Sequence, residues 1–187
     1  KVVVIAENTW AAIKGKKALS AVWETASKEE STADHDTFLT AILEGKNLNT
    51  KREDGSVETA FATADKVIEK TYHSPFLPHN CMEPMNFYAN VTAEKIHLVG
   101  PVQTPEYAAT VVADMLDFEI EKVHLEMTRM GGGFGRRLYG DFVYEAAEIS
   151  AAIKKPVKVI STREDDMTTG IYKPSVKYRI KAALKDG

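Results

Sequence analysis

The sequence predicts an α+β domain, a mixed sheet with helices packed against it. Apolar residues alternate with polar ones at positions 87–91, 96–98 and 123–127, the period of half-buried strands. Ala108, Val111, Val112, Met115 and Leu116 fall at helical spacing. The two patterns interleave without a strict strand–helix–strand rhythm, so the sheet is not read as purely parallel. The chain reads as one domain or domain fragment, residues 1–187, of a larger subunit, with room for a small N-terminal lobe over residues 1–60.

Residues 1–5 form an apolar run that reads as a strand. Asn8 can cap a helix through Trp10, Ala11, Ala12, Lys16 and Leu19. Val22 and Trp23 read as a short strand, and polar residues 27–36 as a surface connection. A helix is predicted over 37–44, where Phe38 and Ile42 lie four apart and Gly45 stops it. Residues 47–55 read as a mobile loop, 56–64 as a short helix and 67–74 as a strand. The alternating runs at 87–91 and 96–98 are close enough for a hairpin.

Thr104-Pro105 is a helix start, a hydroxyl before proline at the first helical position. Residues 121–128 read as the next strand and 141–154 as a helix. Val143, Ala146, Ala147 and Ser150 give that helix a face of small residues that allows close approach to a sheet. Pro156 precedes a strand over 157–162, and Val176, Tyr178, Ile180 and Ala182 mark another. Asp186-Gly187 is a turn signal at the chain's end, so the chain reads as a piece of a longer polypeptide.

Composition narrows the function. A hydrophobic content of 44% supports a sizeable core, and a net charge of −3 gives no case for nucleic acid binding. No apolar run approaches the roughly 20 residues of a membrane helix. The single cysteine, Cys81, excludes an internal disulfide and leaves the compartment unspecified.

Met130-Gly131-Gly132-Gly133-Phe134-Gly135-Arg136-Arg137 carries the strongest signal. Glycine lets backbone come close to a ligand, and a helix N-terminus offers free N–H groups. Two arginines add fixed charge and forked donors. The loop reads as a seat for a phosphorylated or oxyanionic cofactor, or else as a tight turn that packs strand against helix. It matches neither the Walker A loop, which needs a following Lys-Ser or Lys-Thr, nor the dinucleotide fingerprint, which needs glycine where Arg136 stands.

His79, Cys81 and Glu83 alternate on one segment and could share a face, but no second cluster completes a zinc set. Their default role is a packed polar loop, and no metal ligand set is assigned. Cys81 as a nucleophile would have His79 as its base and no third group. Glu164-Asp165-Asp166 reads as a solvated turn and Lys14 to Lys17 as plain surface.

The glycine run is very similar to the Gly-Gly-Gly-Phe-Gly signature of the xanthine dehydrogenase and aldehyde oxidase family. Met82-Glu83-Pro84-Met85-Asn86, the arginine pair, Pro156-Val157-Lys158-Val159-Ile160 and Thr162-Arg163-Glu164-Asp165-Asp166-Met167 resemble most the isoquinoline 1-oxidoreductase beta subunits and their aldehyde-oxidising bacterial relatives. The resemblance runs from about residue 67 to the end and continues weakly toward the start. It implies molybdopterin with molybdenum, usually as the cytosine dinucleotide in bacteria. It implies hydroxylation of an aldehyde or an N-heteroaromatic carbon with oxygen from water, and electron transfer to a small [2Fe–2S] partner subunit. By this resemblance Gly131, Gly132, Gly133, Phe134, Gly135 and Arg136 bind the cofactor, with the Phe134 amide near an apical ligand of the metal.

Xanthine-oxidising members carry a glutamine where Leu77 stands and a glutamate where Leu138 stands. The resemblance therefore points away from purines, toward aldehydes or less polar heterocycles. The family's catalytic glutamate lies near the end of the large subunit, so no catalytic residue is assigned here. The chain alone is expected to hold no cofactor and to be inactive. The alternatives are a non-catalytic assembly module of the family and a nucleotide or phosphate binder using the Gly131–Gly135 loop. The bacterial compartment, cytoplasm or periplasm, is left open.

Overall fold

The computed structural model describes residues 2–24, 30–45 and 48–186. In chain order its elements are α1 (Thr9–Ala18), α2 (Thr32–Glu44), α3 (Val57–Ala62), β1 (Lys66–Ser74), β2 (Asn86–Val91), β3 (Ile96–Gly100), α4 (Pro105–Leu116), β4 (Val123–Met127), α5 (Asp141–Ile153), β5 (Val157–Ile160), α6 (Arg163–Thr168) and β6 (Val176–Leu184). The chain divides into two compact units, one from residues 1–20 and 78–173, the other from residues 21–77 and 174–187.

The first unit holds a four-stranded sheet in the order β4-β3-β2-β5. It is mixed, as predicted. The β2–β3 hairpin is antiparallel with Tyr88 opposite Val99, β2 and β5 are antiparallel with Phe87 opposite Val159, and β3 runs parallel to β4 with His97 opposite His124. A parallel pair needs a crossover, and α4 supplies it between β3 and β4.

Phe87, Ala89, Ile96 and Leu98 point into one core with Val112, Phe142, Val143, Ala146 and Ala147 of the two helices. The predicted small-residue face of α5 is buried in full. Its Ser150 hydroxyl accepts from the Val91 amide (2.9 Å) and donates to the Lys155 carbonyl (2.8 Å), tying helix to sheet. Gly100 lies under the Phe87 ring, where a Cβ would come within 2.4 Å of Cδ2. On α4 the buried face is Ala108, Ala109, Val112 and Ala113, whereas Met115 is exposed. The smaller residues face inward because the helix lies close to its neighbours. Thr104 does not cap α4; its hydroxyl donates to the Leu138 carbonyl instead (2.8 Å).

Several local expectations are corrected. Residues 2–6 form no strand, and Val4 packs on α1, where its Cγ1 lies 2.8 Å from the position of a Cβ on Gly15. Val22 and Trp23 form none either and stand exposed. The helix α1 starts as predicted, with Asn8 Oδ1 accepting from the Ala11 amide at 2.9 Å.

In the second unit β1 pairs antiparallel with β6 from Lys66 opposite Leu184 to Ser74 opposite Val176. The helix α2 begins at Thr32, inside the stretch expected to be a connection. Ser31 and Asp34 form a reciprocal capping box there, with Ser31 N–H donating to Asp34 Oδ2 at 2.8 Å. Residues 27–29 of that stretch, and residue 47 of the predicted loop, lie outside the described residues. Residues 48–54 carry no helix or strand.

Candidate cofactor-binding site

The glycine run leaves β4 and crosses the first unit toward α5. It does not lead straight into that helix. A 3₁₀ turn over Arg136–Leu138 intervenes, and α5 starts at Asp141 behind Gly140. The loop is therefore a free-standing bracket of backbone, and the helix N-terminus is not its floor.

Each glycine has a separate reason. At Gly131 a Cβ would lie 2.4 Å from the Glu83 Cβ, so only glycine permits the approach. The two segments then exchange bonds: Glu83 N–H donates to the Gly131 carbonyl (3.1 Å), and Gly131 N–H donates to Glu83 Oε2 (2.9 Å). Gly132 takes a φ of 110°, a region L residues avoid, and Gly135 takes 89°. Between them Phe134 sits at a φ of 51°, a left-handed conformation costing roughly 1–2 kcal/mol for a residue with a side chain. Such a conformation persists only where surrounding bonds impose it.

Those bonds come from three side chains. Gln103 Oε1 accepts from the Gly135 amide (3.1 Å) and the Arg137 amide (3.3 Å), clamping the far end of the loop. Cys81 Sγ donates to the Gly133 carbonyl at 3.4 Å. Arg137, fully buried, donates from Nε to the Gly132 carbonyl (2.9 Å), from Nη1 to the Pro101 carbonyl (3.3 Å), and from Nη2 to the Glu83 carbonyl and carboxylate (both 3.0 Å).

The arginine pair thus differs from the sequence expectation. Arg136 makes a two-pronged pair with Asp141 (2.6 and 2.9 Å), and Arg137 is enclosed by carbonyls. Both guanidiniums are engaged by protein acceptors rather than held out as ligand charge. Arg136 Nε is buried without a partner.

The amides of Gly132, Gly133 and Phe134 are the reverse case. Among the described residues no acceptor takes them, although the amides on either side, at Gly131, Gly135 and Arg136, are all bonded. Beside them the Phe134 ring is 70% exposed. His79 borders Gly135, its Nε2 3.5 Å from where a Cβ would sit, and its buried Nδ1 has no partner. Leu138 is half-exposed on the 3₁₀ turn directly after the loop. Leu77 belongs to the second unit.

His79, Cys81 and Glu83 do not converge on a common point. Cys81 is fully buried with its thiol donating to the Gly133 carbonyl, and burial pushes that thiol up, all of which disfavour a nucleophilic role. Glu83 shows the opposite balance. Burial pushes its carboxyl up, but the Gly131 amide, Asn86 and Arg137 together bring it below the ordinary value. A carboxyl lowered on folding stabilises the fold above its unfolded value near 4.5, and that contribution disappears as pH falls through the lower folded value. The expected result is that Glu83→Gln lowers stability near neutral pH and weakens its acid dependence below pH 4.5. Urea melts of both forms between neutral and acid pH check it, and parallel curves would mean that Glu83 does not act through its charge.

One acidic residue was misread from sequence, and one clamping residue was missed. Asp166, expected in a solvated turn, is buried in α6 and accepts from Arg163 Nη1 (2.9 Å) and the Met85 amide (3.4 Å). Arg163 Nη2 in turn donates to the carbonyls of Cys81 and Met82 (2.7 and 2.8 Å). The Thr162-x-x-Asp165 capping box was the available signal for that helix. Gln103 had no signal at all, since one glutamine before a helix has no pattern.

Residues 42–187 match the molybdopterin cofactor-binding domain family. The chain belongs to that family. This molybdopterin-binding domain is 33% identical over 168 residues to the nicotinate dehydrogenase large molybdopterin subunit of Eubacterium barkeri, covering 88% of the chain and 38% of that protein. It is 32% identical over 136 residues to the isoquinoline 1-oxidoreductase subunit beta of Brevundimonas diminuta, covering 69% of the chain and 17% of that protein. A membrane-bound aldehyde dehydrogenase of Gluconacetobacter polyoxogenes, named for pyrroloquinoline quinone, is 33% identical over 98% of the chain and 24% of its own length. The chain thus spans between a sixth and two fifths of these relatives.

The fold is shared with quinoline 2-oxidoreductase from Pseudomonas putida 86, at a TM-score of 0.62 and 20% identity over 69% of the chain and 17% of that structure. The expected likeness to the isoquinoline oxidoreductase and aldehyde oxidase family is borne out, as is the mixed α+β fold. Among the described residues no helix is long and apolar enough to cross a membrane.

Proposed function

We propose that this domain seats a molybdopterin cytosine dinucleotide in the large subunit of a molybdenum hydroxylase acting on an aldehyde or an N-heteroaromatic carbon. The observation that carries the reading is the row of three unengaged amides at Gly132, Gly133 and Phe134 on a loop held on both sides by bonds at Gly131, Gly135 and Arg136. Rigid N–H donors held in place before a ligand arrives stabilise oxyanionic atoms at no reorganisation cost. The bound group supplies the redox chemistry that moves oxygen from water to a carbon centre. The chain's own residues hold and orient it: Gly131 and Gly135 anchor the loop ends, Gly132 and Gly133 allow close approach, and Phe134 offers an amide and an exposed aromatic face.

The phosphate-binding alternative loses its main support, because the two guanidiniums are engaged internally. Leu138, beside the loop, has no hydrogen-bonding group to read a purine, which favours a less polar substrate. Electrons would leave through a [2Fe–2S] partner subunit, and the rest of the large subunit would complete the site, including its catalytic glutamate.

The test is chemical analysis of the assembled enzyme carrying this domain. Molybdenum near one per large subunit, cytidine monophosphate released on acid hydrolysis, and label from 18O-water in the product of an aldehyde or quinoline are expected. Absence of molybdenum, or label drawn from dioxygen, would overturn the reading. Release of a different nucleotide, or none, would overturn the cytosine dinucleotide form alone.

A further inference from the structure

The outer face of the sheet carries a second cluster. Strand alternation points Ile96 and Leu98 inward, so His97 projects from the opposite face, away from α4 and α5. The parallel register sets His124 directly beside His97, and Glu126, two residues on, shares the same face of β4. Their ligand atoms all lie within 4.8 Å of one another. Glu126 Oε1 is 2.7 Å from His97 Nε2 and 3.3 Å from His124 Nε2. The two imidazoles are 5.6 Å apart between centroids and tilted by only 32°, so both can turn a ring nitrogen to one point. Tyr88 packs edge-on against His97 at 5.9 Å and limits its rotation.

We propose that His97, His124 and Glu126 form a binding site for a divalent transition metal of the zinc class, with solvent completing its coordination. The donor set is two neutral imidazoles and one carboxylate, a combination that binds zinc with a fourth position open to water. Tetrahedral ligands about 2.0–2.2 Å from zinc lie roughly 3.3–3.5 Å from one another. The contacts at 2.7 and 3.3 Å need only a small opening to admit an ion. All three ligands come from adjacent strands of a paired sheet, so the backbone beneath them is fixed before any ion arrives. Imidazole and carboxylate together favour zinc, nickel or copper over magnesium or calcium, which prefer all-oxygen sites. The site does not rest on the molybdopterin reading.

Calorimetric titration of the chelator-treated full chain with zinc chloride tests the assignment, with the fold of every form checked by circular dichroism. One-to-one binding is expected in the native chain. His124→Ala and Glu126→Gln change exposed side chains, leave the fold intact, and should each weaken zinc binding roughly tenfold or more. The chain has three further histidines, at 35, 73 and 79. Binding that survives both substitutions unchanged would place the ion at those residues and overturn the proposal. So would the absence of one-to-one binding in the native chain. Cobalt(II) provides a second readout: intense visible bands of low-symmetry coordination are expected with the native chain and not with His97→Ala, and equal spectra in the two would also overturn it.

Discussion

Arg137→Met is expected to destabilise the domain by about 1–3 kcal/mol, the cost of stranding buried acceptors, because the Glu83 carboxylate it leaves behind is one-third exposed and partly solvated. Methionine matches the length of the arginine stem but donates nothing. The Gly132, Pro101 and Glu83 carbonyls would lose their donors at once, and the Glu83 carboxylate would lose the cation beside it. Burial lowers the Arg137 guanidinium, and the Glu83 charge works the other way, so each residue depends on the other. Urea denaturation at neutral pH gives the number. A loss below about 1 kcal/mol, the net worth of a single ordinary hydrogen bond, would mean that the other contacts suffice to hold the loop. The double variant with Glu83→Gln should lose less than the sum of the two single changes, because the second removes a group the first has already stranded.

Gly133→Val is expected to act on the cofactor more than on the fold. Gly133 itself needs no positive φ; its constraint is steric. A Cβ there would come within 2.6 Å of Gln103 Oε1 and 3.0 Å of Met130 Sδ. The valine must push Gln103 aside, and Gln103 is the acceptor for the Gly135 and Arg137 amides. Overpacking of this kind costs about 1–3 kcal/mol in stability. Loss of one amide contact to a charged ligand, at about 1.5–3 kcal/mol, corresponds to roughly a ten- to hundredfold loss in cofactor retention. Molybdenum content of the assembled enzyme and its melting temperature read the two effects separately. Full molybdenum in the variant would show that the loop is a packing turn, and the proposed cofactor seat would fall with it. Combining Gly133→Val with Gln103→Ala relieves the clash without restoring the clamp, so fold stability should recover further than molybdenum content.

Much of the fold was legible because it rests on local periodicity. The face of α5 was readable from Val143, Ala146, Ala147 and Ser150, and the β2–β3 hairpin from two short alternating runs. Failures came where tertiary partners decide. Residues 2–6 have strand composition and no strand to pair with, since a side chain packing on a helix satisfies Val4 equally well. The acidic run at 164–166 looked solvated because sequence cannot show that Arg163 and the Met85 amide meet Asp166. At the site the glycines were readable, but the role of the arginines was not. Whether a guanidinium faces a ligand or a carbonyl depends on segments about 36 and 54 positions away in the chain.

Those distances bear on when the loop can form. Arg137 joins segments around residues 83, 101 and 132, and Gln103 reaches across 32 positions to Gly135. Contacts so far apart in the chain carry a larger loop-closure cost than local ones and are expected to form after them. The helices and the β2–β3 hairpin can assemble from neighbours, whereas the glycine bracket must wait for three strands' worth of chain to arrive. On the proposed function, a cofactor held by this bracket would meet its seat only after these distant segments have come together, so loading would follow folding of the polypeptide rather than guide it.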